Sequence, residues 1–163
     1  MNASSTLMIR AAGPEDFAAV SYLLEELDWL HIDWYPEYFQ PSNNRQPRPE
    51  SLLREYTEHK DGDILLAIDQ AGLVGLIMVK VRRPPNLPTL KSAPWVQVDS
   101  LIVEAQQRGN GIGKALMEAA KNWAEERDIF EVQLQVYEAN HSAREFYEQQ
   151  GFTPLSQMFR LRW

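Results

Sequence analysis

The sequence predicts a mixed α/β (α+β) fold in which six to seven strands are flanked by about four helices. Three observations lead to this prediction. Stretches in which apolar residues recur at helical spacing are separated by stretches in which they alternate. Asp69–Gly72 is a turn sequence between two apolar runs, which is typical of a β-hairpin. A glycine-rich run, Arg108–Gly113, joins a strand pattern directly to a helix pattern.

The beginning of the chain predicts a short strand followed by a helix. Leu7–Arg10 is the strand, and Gly13–Asp16 is typical of a helix start, with a proline near the first helical position and two acids in the first turn. The helix is then indicated by apolar residues at helical spacing, which are Phe17, Val20, Leu23, Leu24 and Leu27.

A stretch of different composition runs from Trp29 to about Pro49. Aromatic residues come first and are followed by Pro41, Pro47 and Pro49, which favours an ordered but irregular loop. Loops of this kind often carry binding specificity. The segment Pro49–His59 is expected to form a second helix.

The middle of the chain predicts a hairpin, a loop and then a third strand and helix. Asp63–Asp69 and Leu73–Val81 are the hairpin strands, and the four prolines of Arg82–Pro94 predict a loop. Trp95–Val103 is the next strand. After the glycine run, a helix with an apolar stripe reaches about Arg127.

The last part of the chain predicts a strand, a helix and two closing strands. Glu131–Val136 alternates polar and apolar residues, and Ser142–Glu145 fits a capping box at the start of a helix. Gly151 suits the end of that helix. Phe152–Leu155 and Met158–Trp163 are expected as the final strands.

The bulk composition restricts the function classes. A length of 163 residues with 44% hydrophobic content fits one domain over residues 1–163. The net charge of -7 argues against general nucleic-acid binding, which needs a basic face. The chain has no cysteine, so disulfides, thiolate zinc sites and a cysteine nucleophile are excluded. The three histidines are separated and show no metal-ligand spacing, so no metal is expected.

No targeting or membrane-spanning segment is expected either. Met1–Thr6 lacks a basic start and a long apolar core, and no stretch approaches the roughly 18 apolar residues that a membrane helix needs. We therefore expect a cytoplasmic protein that does not act at a membrane.

The glycine run is the strongest functional signal in the chain. A strand, a glycine-rich turn and a helix start together form a pocket for a phosphate group, because glycines allow close approach and the first amides of a helix have no intrahelical partners. A side chain at Gly111 or Gly113 would fill the space that the phosphates need. The structural alternative is that these glycines only make a tight strand-to-helix turn.

Two common phosphate-binding motifs do not fit the run. The P-loop of nucleotide triphosphatases requires a hydroxyl residue after its lysine, but Lys114 is followed by Ala115. The dinucleotide fingerprint has the spacing G-x-G-x-x-G, whereas this run reads G-x-G-x-G. It also needs an acid at the end of a strand, and Glu131 begins one.

A third motif matches in detail. Arg108, Gly111 and Gly113 occupy the fixed positions of Gln/Arg-x-x-Gly-x-Gly/Ala, so the run resembles the coenzyme A signature of the GNAT superfamily of N-acetyltransferases. Flanking segments are similar to the same family, namely Val98–Val103, Val136–Asn140 and Gly151–Phe152. The resemblance implies a mostly antiparallel sheet whose fourth and fifth strands splay apart, and acetyl-CoA as the cosubstrate.

The resemblance also implies which residues hold the coenzyme. Backbone amides around the glycine run would bind the pyrophosphate, and an amide of the fourth strand, Ile102 or Val103, would stabilise the oxyanion. The expected coenzyme contacts are Ile102, Val103, Arg108, Gly109, Asn110, Gly111, Ile112, Gly113, Lys114 and Asn140. Asn140 could instead serve only as a turn or helix cap.

Two residues are the candidates for acid–base chemistry. The resemblance makes Tyr147 the general acid that protonates the leaving thiolate, although its spacing also fits an amphipathic core position. Asp99 is the first choice as general base, with an ordinary polar role as the alternative. Glu104 is the second choice, and by alternation it lies on the other face of the strand unless a bulge intervenes.

The sequence leaves the acceptor open. The resemblance implies that the loop between the first two helices helps to wall the acceptor site, so Trp29, Trp34 and Tyr35 are candidates for it. Aromatic faces can hold an aryl group or a cation, and the alternative is that these residues only cover the core. We expect a primary amine, with a small molecule slightly favoured over a protein N-terminus or lysine. One alternative is a non-catalytic acyl-CoA-binding regulatory module. A homodimer built through the late strands is a further option, because Met158–Trp163 is apolar enough to pair.

Overall fold

A five-stranded sheet organises the part of the chain that the computed structural model describes, which is residues 7–41, 48–91 and 93–163. The strands are β1 (Met8–Ala11), β2 (Gly62–Asp69), β3 (Gly72–Arg82), β4 (Trp95–Val103) and β5 (Val132–Leu134). The helices are α1 (Phe17–Trp34), α2 (Glu50–Thr57), α3 (Ile112–Glu125) and α4 (His141–Gln149). Within these ranges, none of the helices is long and apolar enough to cross a membrane.

The strands are neighbours in chain order, β1-β2-β3-β4-β5. The first three pairings are antiparallel, and β4 pairs with β5 in parallel. The predicted hairpin is confirmed, since Asp69 lies opposite Gly72 in the register of β2 and β3. Gly72 has φ +120°, a conformation that only glycine adopts readily, which explains its place in the turn.

The sheet separates two apolar cores. On one face, α3 packs Leu116 and Met117 against Ile77 of β3. On the other face, α1 and α2 pack Leu24 and Leu53 against β2 and β3. The helical spacing read for α1 is confirmed, because its buried residues include Phe17, Val20, Leu23 and Leu24.

One extra residue interrupts the pairing of β4. Met78 lies opposite Ser100, but Val79 lies opposite Val98, so Asp99 has no partner and forms a β-bulge. The parallel pairing with β5 covers only Val96–Val98 and therefore ends just before the bulge. From Asp99 to Val103, β4 pairs with β3 alone. The expected splaying of the fourth and fifth strands is thus confirmed.

The aromatic stretch after Trp29 was expected as a loop, and this is partly wrong. Trp29 and Trp34 lie within α1, which continues to Trp34. From Phe17 to Tyr35 no glycine or proline interrupts the chain. The helix ends before Pro36, because a residue that precedes a proline is pushed out of the helical conformation. The expectations for Pro47 and for Met1–Thr6 fall outside the described residues.

The two closing strands were also expected wrongly. Phe152–Leu155 and Met158–Trp163 belong to no strand of the sheet. A strand requires a neighbour for its backbone hydrogen bonds, and in the described part of this chain nothing pairs with the outer edge of β5. The segment after Phe152 therefore has the composition of a strand but does not form one, because it has no partner strand.

Candidate active site

The N-terminus of α3 presents free backbone amides. Gly111 is the residue that precedes the helix, and no side chain caps it. In the first helical hydrogen bond of α3, the Ala115 amide donates to the Gly111 carbonyl at 3.0 Å. The amides of Ile112, Gly113 and Lys114 consequently have no acceptor within the helix. The helix dipole adds partial positive charge here, so the turn is suited to an anion.

Glycine is favoured at three positions of the run, for two different reasons. Gly109 and Gly111 have φ +83° and +82°, where a side chain would be strained, and a Cβ at either would meet no atom within 4 Å. At Gly113 a Cβ would lie 3.3 Å from Cζ of Phe146 on α4. Close packing against Phe146 is therefore a second reason for a glycine at this position, and the expectation that Gly113 keeps space open for a phosphate stays a prediction.

The residues around these glycines tie the turn to the end of β4. Arg108 Nε donates to the carbonyl of Val103 at 3.0 Å. Asn110 Nδ2 donates to Oε1 of Gln107 at 3.4 Å. The Arg108 side chain thus holds the glycine run against the strand that carries the bulge, which places the free amides at the mouth of the gap between β4 and β5.

The two predicted oxyanion donors point in different directions. The Glu104 amide donates to the Val74 carbonyl of β3 at 2.9 Å. Successive amides of a strand alternate between its two neighbours, so the Ile102 amide also points to β3. By the same alternation the Val103 amide points away from β3, into the gap. Of the two candidates, Val103 is the one with a free amide there.

Asp99 is held by two side chains at the bulge. Tyr56 Oη on α2 donates to Asp99 Oδ2 at 2.7 Å, and Arg82 lies 3.6 Å from the same oxygen. The Asp99 side chain is 26% exposed. Its other oxygen, Oδ1, has no hydrogen-bond partner among residues 7–41, 48–91 and 93–163. Burial, and then the hydrogen bond to Asp99, raise the pKa of Tyr56, which therefore remains a donor.

The bulge also settles the position of Glu104 relative to Asp99. Asp99 meets α2, and Ile102 belongs to the core on the same side of the sheet as α1 and α2. Glu104 follows two residues after Ile102 and so shares that face. The extra residue at the bulge therefore brings both predicted carboxylates to one side of the sheet.

Tyr147 lies on α4 between two phenylalanine rings. The ring centroids of Phe146 and Phe152 are 5.3 and 5.7 Å from that of Tyr147, and the side chain packs on the core beneath α3. Burial raises the pKa of Tyr147 to about 12. No hydrogen-bond partner for its hydroxyl occurs in the described part of the chain. Tyr147 is thus both a packed residue and an uncommitted donor.

Asn140 is the N-cap of α4. Its Oδ1 accepts from the Ala143 amide at 3.2 Å and from the Ser142 hydroxyl at 3.3 Å. The capping box expected to start at Ser142 is therefore wrong, because the asparagine amide group reaches the first turn and Ser142 only supports it. The cap uses the oxygen of Asn140, which leaves Nδ2 available as a donor.

An aromatic cluster joins the end of α1 to the loop after β5. Tyr137 is its centre, and its ring centroid lies 5.2 Å from His31, 5.3 Å from Tyr35 and 5.6 Å from Phe39. Tyr35 Oη accepts from the Ala139 amide at 3.2 Å. Burial lowers the pKa of His31, with Asp28 opposing the change. The cluster places α1 directly beside Asn140.

The three predicted acceptor residues relate differently to this cluster. Tyr35 is a member, and Trp34 lies beside it, 6.0 Å from His31. Trp29 is half-exposed and has no aromatic neighbour in the described ranges. The structure therefore brings Trp34 and Tyr35 together and leaves Trp29 apart.

Sequence reasoning missed three residues of this region. Tyr56 was covered only by the predicted second helix, Arg82 only by the predicted loop, and Tyr137 only by a segment similar to the family. A buried tyrosine carries a hydroxyl that must find a partner, and that was the available signal for Tyr56. In the described residues, no group of three or more His, Cys, Asp and Glu side chains could hold a metal ion.

Comparison with known proteins supplies the family. The model of the acetyltransferase (GNAT) family matches residues 24–152, which is most of the chain and includes the bulge, the glycine run and α4. The chain belongs to this family. It is therefore an acyltransferase, and the cosubstrate of the family is an acyl-coenzyme A.

Individual relatives agree with this assignment. The chain is 26% identical over 147 residues to the uncharacterised N-acetyltransferase YhfO of Bacillus subtilis. The aligned region covers 88% of each of the two chains. It has the fold of a tetramutant of the BH1408 protein from Bacillus halodurans, with a TM-score of 0.90, 22% identity and coverage of 96% and 99%. It also has the fold of the aminoglycoside N-acetyltransferase AAC(6')-Iy in complex with CoA, with a TM-score of 0.72, 15% identity and coverage of 95% and 98%.

The burial of Tyr147 predicts a change of stability at high pH. The folded state holds the phenolic proton up to about pH 12, whereas the ordinary pKa is 10.0. The neutral phenol therefore makes its full contribution to the free energy of unfolding below pH 10. That contribution is lost as the pH rises from 10 towards 12. The free energy of unfolding of Tyr147→Phe should fall less steeply over that interval than that of the wild type. Urea unfolding at a series of pH values measures the slope.

The matched control for this prediction is Tyr22→Phe, since Tyr22 is exposed on α1. Its pH dependence should equal that of the wild type. Equal slopes for Tyr147→Phe and the wild type would show that Tyr147 is not buried as the structure places it.

Proposed function

We propose that this protein transfers an acetyl group from acetyl-CoA directly to a primary amine. The observation that carries the proposal is the stretch of β4 from Asp99 to Val103 that does not pair with β5. It lies between the free amides of α3 and the hydrogen-bonded carboxylate of Asp99. An acyl thioester would lie in this gap, with the phosphates of the coenzyme at one end and the thioester carbonyl at the other. The absence of cysteine fits direct transfer without a covalent enzyme intermediate.

The coenzyme would lie along the gap. Its pyrophosphate would accept hydrogen bonds from the amides of Ile112, Gly113 and Lys114, with Gly109 and Gly111 leaving the approach open. The pantetheine arm would pair with the free edge of β4, much as an added strand does. Asn140 Nδ2, which the cap leaves available, would donate to the amide groups of the pantetheine arm.

The Val103 amide would stabilise the oxyanion that forms when the amine attacks the thioester carbonyl. A preorganised donor of this kind contributes roughly 3 kcal/mol to the barrier in other acyl-transfer enzymes. The supporting geometry is its orientation into the gap, which follows from the Glu104–Val74 hydrogen bond. Ile102, whose amide faces β3, would contribute packing rather than this hydrogen bond.

Asp99 would act as the general base. A primary amine is protonated at neutral pH, so one proton must leave before its lone pair can attack. Asp99 Oδ2 is occupied by Tyr56, and Oδ1 is free to take that proton, directly or through a water molecule. Arg82 and Tyr56 would hold the carboxylate in position. Glu104, on the same face, is the second candidate.

Tyr147 would act as the general acid. When the tetrahedral intermediate collapses, the C–S bond breaks and its electron pair goes to sulfur, which then takes a proton from the phenol. A phenol with a pKa near 12 is a weaker acid than an ordinary thiol, whose pKa is about 8.5. The same apolar surroundings would raise the pKa of the coenzyme thiol, which narrows that difference.

The acceptor is proposed to be a small-molecule amine in preference to a protein N-terminus or lysine. The net charge of -7 suits a cationic partner, and the aromatic cluster with Trp34 and Tyr35 offers ring faces beside the gap. AAC(6')-Iy, which shares the fold, is an aminoglycoside N-acetyltransferase. We place the activity in the cytoplasm, because a chain without cysteine suits a reducing compartment and acyl-CoA is present there.

The pyrophosphate assignment predicts that Gly111→Glu abolishes coenzyme binding. The new side chain would be strained at φ +82° and would bring a negative charge to the anion site. Calorimetric titration with acetyl-CoA measures the affinity.

Gly72→Glu is the matched control, because Gly72 also has positive φ, has open space around it and lies in the β2–β3 turn. It should bind the coenzyme as the wild type does. Unchanged affinity in Gly111→Glu would refute the assignment.

The catalytic assignment predicts amine-dependent thiol release from acetyl-CoA over a panel of amines. Tyr147→Phe and Asp99→Asn should each lower kcat by roughly 100-fold or more while the affinity for acetyl-CoA changes little. The chain has no cysteine, so a thiol reagent reports only released coenzyme. Tyr22→Phe, on the exposed side of α1, should keep full activity.

Three results would contradict this part of the proposal. Binding of acetyl-CoA without turnover on any amine would favour the regulatory module over the enzyme. Unchanged kcat in Tyr147→Phe would return Tyr147 to a purely structural role. Unchanged kcat in Asp99→Asn would transfer the role of base to Glu104 or to water.

A further inference from the structure

The sheet presents polar side chains on one face at the end where β3 finishes and β4 begins. Four valines of these strands belong to the core beneath α3, namely Val79, Val81, Val96 and Val98. The residues that alternate with them therefore point to the opposite face, which α1 and α2 cover elsewhere. They are Lys80, Arg82, Trp95, Gln97 and Asp99, which together we call the polar face. The polar face thus includes the proposed base and its surroundings.

Two cations of the polar face adjoin the Tyr56–Asp99 hydrogen bond. Lys80 Nζ lies 5.3 Å from the ring centroid of Tyr56, and Arg82 Nη2 lies 3.6 Å from Asp99 Oδ2. The second distance is too long for a hydrogen bond, and the Arg82 side chain is 45% exposed. Among the described residues, neither cation donates a side-chain hydrogen bond. Their N–H donors are therefore available to an anion.

The polar face is basic although the chain as a whole is acidic. Between Asp69 and Asp99 the sequence has no acidic residue and four basic ones, which are Lys80, Arg82, Arg83 and Lys91. The polar face itself carries two cations and one carboxylate, within a chain of net charge -7. Positive charge therefore exceeds negative charge beside the proposed base.

We propose that the acceptor is a zwitterion, an amine that carries an anionic group a few bonds away, as a free α-amino acid does. Its amine lies at the free Oδ1 of Asp99, and its anionic group binds Arg82, with Lys80 supplying a second positive charge. A guanidinium offers two parallel donors to a carboxylate or a phosphate. The inference rests on the proposed function, because it takes Asp99 as the base.

The distance between the two groups restricts the acceptor. Arg82 and Tyr56 both meet Oδ2 of Asp99, whereas the amine uses Oδ1 of the same carboxylate, so the anionic group and the amine are close neighbours. The N-terminal amine of a protein is followed by a neutral peptide bond, and the amine of a lysine side chain has no anion near it. Both fit the polar face less well than a small zwitterion. The ammonium group of the zwitterion still suits the acidic chain.

The reaction leaves the anionic group unchanged. The ammonium gives one proton to Asp99, and its lone pair then forms the N–C bond with the acetyl carbon. The C–S bond breaks, its electron pair goes to sulfur, and sulfur takes a proton from Tyr147. A second proton leaves the nitrogen as the amide forms and replaces the one that Tyr147 gave up. The products are the thiol of coenzyme A and an N-acetylated anion, and the proton on Asp99 is released to water.

Thiol release with matched pairs of amino acids and their amides tests the proposal. Each pair shares the amine and the side chain and differs in the anionic group. For the acids that are used best, kcat/KM should exceed that of the amide roughly 10-fold or more, because the amide cannot pair with Arg82. The amine of an amino acid amide loses its proton more readily than that of the free acid, so amine basicity alone would favour the amide. The phosphonate analogues of the same acids distinguish a phosphate acceptor from a carboxylate one.

Arg82→Gln should move the ratio of kcat/KM for acid and amide towards one, and Lys80→Gln should lower it less. A variant that only displaced Asp99 would slow acid and amide alike and leave the ratio unchanged. Arg83→Gln is the matched control, because Arg83 is the next residue, is 61% exposed and pairs with Asp61 at 3.0 Å. It should keep the ratio of the wild type. Circular dichroism checks that the three variants are folded.

Calorimetric titration separates this inference from the proposed function. The same acids and amides are titrated into protein saturated with coenzyme A, so binding is measured without turnover. The acids should bind more tightly than their amides, and Arg82→Gln should remove the difference. Binding of this kind without acetylation of any amine would contradict the proposed function and support the zwitterion site.

Three results would overturn the inference. The first is acetylation of amides or simple amines as efficiently as of the acids and phosphonates. The second is a ratio that is unchanged in Arg82→Gln or that falls equally in Arg83→Gln. The third is the absence of both binding and turnover for every acid and phosphonate tested.

Discussion

The site depends on one extra residue in β4. Asp99 has no partner in β3, and the pairing of β4 with β5 ends immediately before it. Without this bulge, β5 would continue along β4, and the Val103 amide would donate a hydrogen bond to β5. Val96 and Val98 belong to the core on the α3 side, so alternation turns Asp99 towards α2, where Tyr56 donates to its carboxylate. The bulge then places Glu104 on the same face as Asp99, beside the opening between β4 and β5.

The other parts of the site are arranged around this opening. Arg108 ties the glycine run to the last residue of β4, which sets the free amides of α3 at one end of the gap. Phe146 packs against Gly113, so α4 lies close to α3 and carries Tyr147 into the adjoining core. The Tyr35–Ala139 hydrogen bond holds α1 against the loop that bears Asn140. The Gly113–Phe146 and Tyr35–Ala139 contacts each join two elements that are distant in sequence.

The sequence was sufficient for the features that depend on local chemistry. The bounds of β4, the β2–β3 turn and the open start of α3 follow from alternation and glycine placement. The bulge, the Tyr56–Asp99 pair and the choice of Val103 over Ile102 depend on register between strands, which spacing along one chain does not determine. The closing strands were predicted from correct alternation but lack a neighbour, so pattern alone could not show whether they pair.

The central claim is that the amides of β4 beyond the bulge are free to receive the coenzyme. Amide hydrogen exchange with and without acetyl-CoA measures this residue by residue. The amides of Leu101 and Val103 face the gap, so they should exchange rapidly in the free protein and become protected when acetyl-CoA is bound. Ile102 and Glu104, which face β3, should be protected in both states. Equal exchange at Val103 with and without the coenzyme would contradict the account.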